Sequence, residues 1–292
     1  MGKEAADLRW GVEKRLEFIE FRLLWEGGIN RADIMKRFGV SVPQASKDLS
    51  LYEEKAPGNL LYDKSEKRYF AAPKFRPVFL KPEADRYLAQ LRSIADRIVQ
   101  PEESWLSHLP EFDAMPVPHR RVDANVLRSI VAAIRRKRSL EIHYQSMNPA
   151  RSNPEWRWIT PHALANDGLR WHVRAHCHID RKFKDFLLSR CLGAGIDGAP
   201  GADAADDTLW NDFFDVILKP NPALSKTQQE VIAQDYNMID CRVCVPVRKA
   251  HLYYFQKRLR LDVADAFDDP QEVPILVAND DAFTEALAEA KA

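Results

Sequence analysis

No stretch of this 292-residue chain is apolar for long enough to cross a bilayer, which takes ~20 residues. Its first ten residues, MGKEAADLRW, lack the basic region and apolar run of a secretory signal. Cysteine is scarce: Cys177, Cys191, Cys241 and Cys244 are too few in so long a chain to form a disulfide framework. A cytoplasmic protein with reduced thiols and no membrane partner is expected. Catalytic signatures are missing too. There is no P-loop, HExxH, GxSxG or clear triad, so no enzyme activity is expected. GAGIDG (193–198) fits GxGxxG literally, but Pro200, Gly201 and an acidic run stand where a helix would have to open, so a loop or linker is expected. CRVC (241–244) has no second CxxC pair. His172 and His176 would lie ~13 Å apart on a strand at ~3.3 Å per residue, too far to share one zinc. No metal and no cofactor are expected.

Net charge is absent as well, with 43 basic and 43 acidic residues. The zero hides a segregation. Residues 122–190 hold thirteen Lys/Arg against six Asp/Glu and five of the eight histidines, whereas 195–240 hold nine acidic residues against two lysines. Partners respond to the local field, not to the sum, so a nucleic-acid partner stays open. A 46% apolar content and a length of 292 residues allow two or three domains.

Helical spacing of Val12, Leu16, Ile19 and Leu23 predicts a helix over 7–26, ended by Gly27 and Gly28. Asn30 is a good N-cap for a short second helix that stops at Gly39. Ser41 caps a third, with Gln44 at the capping-box position and Pro43 in a first turn where its missing N–H costs nothing. Ala45, Leu49 and Tyr52 make its buried stripe; Gln44, Ser46, Lys47 and Ser50 face out. NLLYDKSEKRYF then reads as a hairpin. The combination is a winged helix-turn-helix, whose second motif helix enters the major groove. Ser41, Gln44, Ser46, Lys47 and Ser50 on that helix, and Lys64, Lys67 and Arg68 on the wing, are the expected contacts to double-stranded DNA. Gln44 has a competing use, since an amide that closes the capping box is less free to read a base.

Pro82 to Pro101 predicts a helix with Tyr87, Leu91, Ile94 and Ile98 on one stripe, for its own domain or a second subunit. Three prolines in 110–120 mark a linker. After a helix with Val126, Ile130, Ala133 and Ile134 inward, the period changes to strands in LEIHYQS, EWRWITPHAL, LRWHVRAHC and FKDFLLSRC. LRWHVRAH puts Arg170, His172, Arg174 and His176 on one face and Trp171, Val173 and Ala175 on the other. The basic row suits an anionic, base-containing effector, or else it faces water or pairs with the acidic segment 197–215. The C-terminal portion reads strand-helix-strand-helix, a small α/β unit, with Trp210, Phe213 and Phe214 by default in a core.

Tyr144-Gln145-Ser146, RWITPHAL with Pro161 and Leu164, Trp171-His172-Val173 and FLLSR ending at Arg190 resemble the WYL domain. His172 and Val173 replace the Tyr and Leu of the naming tripeptide. With the winged helix before it and the extension after it, nearly the whole chain resembles WYL-type bacterial transcriptional regulators. EIHYQS, WRWITPHAL and RWHVRAH look most like repressors found beside CBASS and BREX anti-phage systems. The resemblance implies an α+β multidomain chain. A winged helix-turn-helix would span 1–76, a helical connector and linker 77–121, an Sm-like or SH3-like WYL β-barrel 122–200, and a C-terminal dimerisation extension 201–292. It implies a homodimeric repressor on a palindromic operator, sensing an anionic nucleotide or single-stranded nucleic acid. Motif by motif it places Tyr144, Ser146, His162, Arg170, His172 and Arg190 in or near the effector pocket, to which the basic row adds Arg174. A single-strand-binding accessory module without an operator is the alternative.

Overall fold

The computed structural model describes residues 10–266 and 269–291, so the expected helical turn at 7–9 lies outside the described residues. The chain forms two compact units, Met1–Pro116 and Val117–Ala292.

In the first unit, α1 (Trp10–Trp25), α2 (Arg31–Phe38) and α3 (Val42–Lys55) precede a hairpin of β1 (Leu60–Asp63) and β2 (Arg68–Ala71). Asn30 closes a full capping box with Asp33, and Gly39 ends α2 in the left-handed region at φ 64°. Such backbone is cheap only without a Cβ. Leu16, Ile19, Ile34, Ala45, Leu49 and Tyr52 form the core, as the helical stripes require. The wing is tied to the helices by an antiparallel bridge between Ile29 and Tyr69. The helix expected from Pro82 is shorter: α4 covers Ala84–Ala95, and Arg97, at φ 56°, turns the chain away. Ile98 is therefore exposed, while Leu91, Tyr87 and Ile94 pack on Phe21 and Trp25 of α1. The connector helix thus covers its own domain.

Beneath this unit lies a buried carboxylate. Glu20 is fully buried and accepts the amides of Val78, Phe79 and Leu80 at 2.7, 2.7 and 2.6 Å and the Tyr52 hydroxyl at 3.1 Å. Burial still lifts its pKa above the usual carboxylate value, and the four donors, which replace its water, oppose that lift.

In the second unit, α5 (Ala124–Arg136) lays Val126, Ile130 and Ala133 on a five-stranded antiparallel sheet. Its strands are β3 (Ser139–Tyr144), β4 (Glu155–Asn166), β5 (Trp171–Cys177), β6 (Lys182–Leu187) and β7 (Cys191–Gly198), in the order β6-β5-β4-β3-β7. The expected barrel does not close, since β6 and β7 are the two edges. A register shift leaves His162 as the extra residue of a bulge in β4, which bends the strand. Val173, Ala175 and Cys177 enter the core as alternation demands, but Trp171 is 54% exposed.

GAGIDG is not a loop: it is most of β7, paired antiparallel to β3. A Cβ on Gly193 or Gly195 would come 3.4 Å from the Trp156 ring, and one on Gly198 would come 2.8 Å from Trp158. The glycines lie under tryptophans that reach across β3 from β4, which no single-strand reading of that hexapeptide shows.

The rest of this unit comprises α6 (Thr208–Asn211), β8 (Phe213–Pro220), α7 (Lys226–Asp235), β9 (Val243–Arg248), α8 (Leu252–Arg258), β10 (Ile275–Val277) and α9 (Asp280–Lys291). The strands pair antiparallel in the order β10-β8-β9, with Val216, Leu218, Leu252, Ile275 and Phe283 in the core. Phe214 joins that core, whereas Phe213 is 54% exposed beneath the Arg248 guanidinium. Among the described residues no helix is long and apolar enough to cross a membrane.

Candidate nucleic-acid interface and effector face

Helix α3 is held by its buried side and presents the other. Ser41 Oγ accepts the Gln44 amide at 3.4 Å, so the cap forms. The Gln44 side chain does not reach back to close a box. It donates to Asp48 Oδ1 at 3.0 Å, and Asp48, 1% exposed, also takes Arg15 Nε and Nη2 at 2.6 and 3.1 Å. A bidentate arginine fork thus locks α3 to α1. Lys47 and Ser50 are exposed, and Ser46 is half-buried on the same helix. Lys64 and Lys67 are exposed at the wing tip, where Asp63 accepts the amides of Ser65 and Glu66. Arg68 departs from expectation. Its Nη2 donates to the Gly28 carbonyl at 3.1 Å and lies 3.4 Å from Asp33, so it braces the wing against the helices.

The seven expected effector residues fall into separate places. Arg174 is 4% exposed and donates through Nε and Nη2 to Asp207 at 2.8 and 2.9 Å, with Asp185 at 3.5 Å. His162 Nε2 meets the same Asp207 at 2.9 Å. Arg170 and His172 share Asp167, at 2.7 and 3.1 Å. The Tyr254 ring leans on His172 at 5.1 Å, beneath Arg170 at 5.9 Å, and its hydroxyl donates to Asp185 at 3.2 Å. Burial pushes both aspartates up, but the bonds to Arg and His outweigh it and hold each at about 2. Burial, with Asp185 beside it, raises the Tyr254 hydroxyl well above the usual phenol range.

Most of the row is therefore a neutralised internal surface, not an open one. Pairing with the acidic segment 197–215 is what the geometry shows for Arg174 and His162. Tyr144 and Arg190 lie elsewhere: Tyr144 is buried in the sheet core, its hydroxyl accepting the Leu187 amide at 3.3 Å, with Arg190 also bonded to it. Ser146 Oγ accepts the Asn148 amide at 3.1 Å just beyond β3. Only the far end of the row opens. There His176, His178, Arg181 and Gly201 line a cavity of about 330 Å³.

Sequence reasoning missed Asp207, Asp185 and Tyr254 at this site, and it set Trp210 in a core, whereas that ring is half-buried against His162 and His251. Asp207 lay within the acidic run; Asp185 and Tyr254 gave no signal, because folding alone brings them to the sheet.

Three family descriptions match the chain. They are the winged helix-turn-helix domain of the BrxR transcriptional regulator over residues 11–93, the WYL domain over 125–194, and the C-terminal dimerization domain of the BrxR regulator over 213–283. The DNA-binding transcriptional repressor CapW of Stenotrophomonas maltophilia is 39% identical over 94% of this chain and 92% of its own length. This chain belongs to the CapW family. CapW of Escherichia coli is 39% identical over 96% of the chain, and that of Pseudomonas aeruginosa 38% over 96%, each across 92% of its own length.

Proposed function

We propose that this CapW relative is a DNA-binding transcriptional repressor of an anti-phage defence operon. It acts in the cytoplasm as a homodimer on a palindromic operator. The carrying observation is α3, clamped by Arg15 and Asp48 on its buried side while Ser46, Lys47 and Ser50 stand outward. A helix so fixed reads bases as a rigid body, while Lys64 and Lys67 supply salt-dependent hold on phosphates. Ser41 and Gln44 serve the helix itself, as cap and brace. Two such helices in a dimer would sit ~34 Å apart, or a multiple of that, on successive major-groove faces.

The second unit is the sensor, and its effector is an anionic nucleotide or a single-stranded nucleic acid. Phosphates suit Arg170 and Arg174, with His172 and His162 beside them on the same two aspartates, but Asp167 and Asp207 already hold these groups, and Tyr144, Ser146 and Arg190 would have to serve the effector from separate positions. An effector must therefore displace a carboxylate, and Asp207 also caps the helix that opens the C-terminal portion. That exchange links signal to dimer geometry, because the effector then binds two arrangements unequally.

Footprinting upstream of the protein's own gene, with and without single-stranded DNA, tests the reading. Ser46→Ala with Lys47→Ala should abolish operator specificity and leave the fold intact. Unchanged footprints would reject α3 as the reading helix, and absence of any footprint would leave the accessory single-strand module.

A further inference from the structure

The outward face of the sheet is covered at one end by Asp207, Trp210 and Tyr254 and bare at the other. The bare end is aromatic. His143 of β3 and Trp156 of β4 are cross-strand partners, with ring centroids 5.0 Å apart and planes 18° from parallel. Trp156 is 51% exposed. Large apolar rings on a water-facing sheet usually have a partner to cover them.

The glycines of β7 explain why the rings lie there. Gly193 pairs with His143, and a Cβ at Gly193 or Gly195 would sit in van der Waals contact with Trp156, so only small residues leave that ring its place. Trp158 stands two residues along β4 on the same face, ~7 Å away at ~3.3 Å per residue, against Gly198. The edge strand is kept bare of side chains where two tryptophans cross it. Glu141, beside Gly195, bounds this stretch on the β3 side.

The same face continues into two imidazoles and the Arg181 guanidinium. His178 donates its amide to the Trp158 carbonyl, and its ring nitrogen lies 2.8 Å from Thr160 Oγ1. Next to it, His176 Nδ1 is buried with no hydrogen-bond partner among the described residues. With Arg181 these rings line the 330 Å³ cavity. Rings in series, spaced along a strand and followed by a cavity that holds an arginine and two imidazole donors, suit one chemistry: bases that stack and phosphates that take a guanidinium and hydrogen bonds.

We propose that Trp156, His143 and Trp158 form a stacking platform for successive bases of single-stranded nucleic acid, whose phosphates run to His176, His178 and Arg181. The inference rests on the sensor reading above and places first contact of the effector on the open face instead of the buried row. A mononucleotide would fill only part of it.

The test is fluorescence anisotropy of the full chain with a short fluorescein-labelled oligothymidylate. Trp156→Ala should weaken binding about 5- to 150-fold, the range for loss of one stacked base. Trp156→Phe, which keeps a ring, should recover most of it, and Arg181→Glu should weaken binding and flatten its salt dependence. Operator affinity without effector should stay unchanged in all three. Unaltered oligothymidylate binding by Trp156→Ala would overturn the platform, and if oligothymidylate still released that variant from operator DNA, the sensor reading would stand without it. A wild-type chain that binds thymidine monophosphate as tightly as the oligomer would also overturn it. No binding by wild type would remove both.

Discussion

Replacing Asp207 by Asn tests the neutralised row most directly. Asn keeps an oxygen for the α6 cap and for one hydrogen bond, so the loss is the charge. Arg174, 4% exposed, then keeps only Asp185 at 3.5 Å as counter-ion, and His162 loses its acceptor carboxylate. Removing one partner of a buried ion pair costs ~3–5 kcal/mol, mostly from the charge left behind. In a unit of this size each kcal/mol moves the melting temperature by ~2–4 °C, giving a drop of ~6–20 °C. Calorimetry should show that drop in the transition of the second unit and leave that of the first in place. Arg174→Met on top of Asp207→Asn should restore much of the loss, because no charge is then stranded. The wild-type pH profile follows from the same group. Asp207 is held at about 2 against 3.8 when free, so its contribution of ~2 kcal/mol is full above 3.8 and fades as pH falls towards 2. An Asp207→Asn chain as stable as wild type, or a double variant no better than the single, would refute the argument.

The wing gives a contrast. Lys64→Ala and Lys67→Ala should each lower the slope of log affinity for operator against log salt by about 0.9, the value of one phosphate contact, as measured by anisotropy across a salt series. Arg68→Ala should leave that slope alone and lower the melting temperature of the first unit instead, since Arg68 holds Gly28 and Asp33. Glu20→Ala strands the buried Leu80 amide at ~1–3 kcal/mol and loosens those of Val78 and Phe79, which are part-buried, so urea titration should show at least ~1 kcal/mol lost.

Local chemistry was legible wherever a short stretch carried its own reason. Asn30 with Asp33, Gly39, and Ser41 before Pro43 mark the ends of α2 and the start of α3, because caps act within one turn. The α5 stripe and the row Val173, Ala175, Cys177 follow from period alone. Three things escaped. The reading of GAGIDG asked only whether a helix could open there, while the cause of its glycines sits across the sheet in Trp156 and Trp158. The strand β8 follows directly on an acidic stretch, and the strand-helix-strand-helix reading of the C-terminal portion counts one strand too few. The fate of the basic row depended on Asp167 and Asp207, and proximity through folding leaves no mark at fixed spacing. Of the expected effector residues, the sheet unites His162 with Arg174 and Arg170 with His172, and it buries Tyr144 in the core with the half-buried Arg190 bonded to its hydroxyl.

The Glu20 carboxylate has a mechanical meaning. One side chain of α1 grips the backbone at Val78–Leu80 and the hydroxyl of Tyr52 in α3. Any displacement of the backbone at Val78–Leu80 is thus felt at Tyr52 in α3 through Glu20, with Asn59, bonded to both Tyr52 and Arg76, as a second tie. Loosening that clamp would free the segment after the wing from the helix it now steadies.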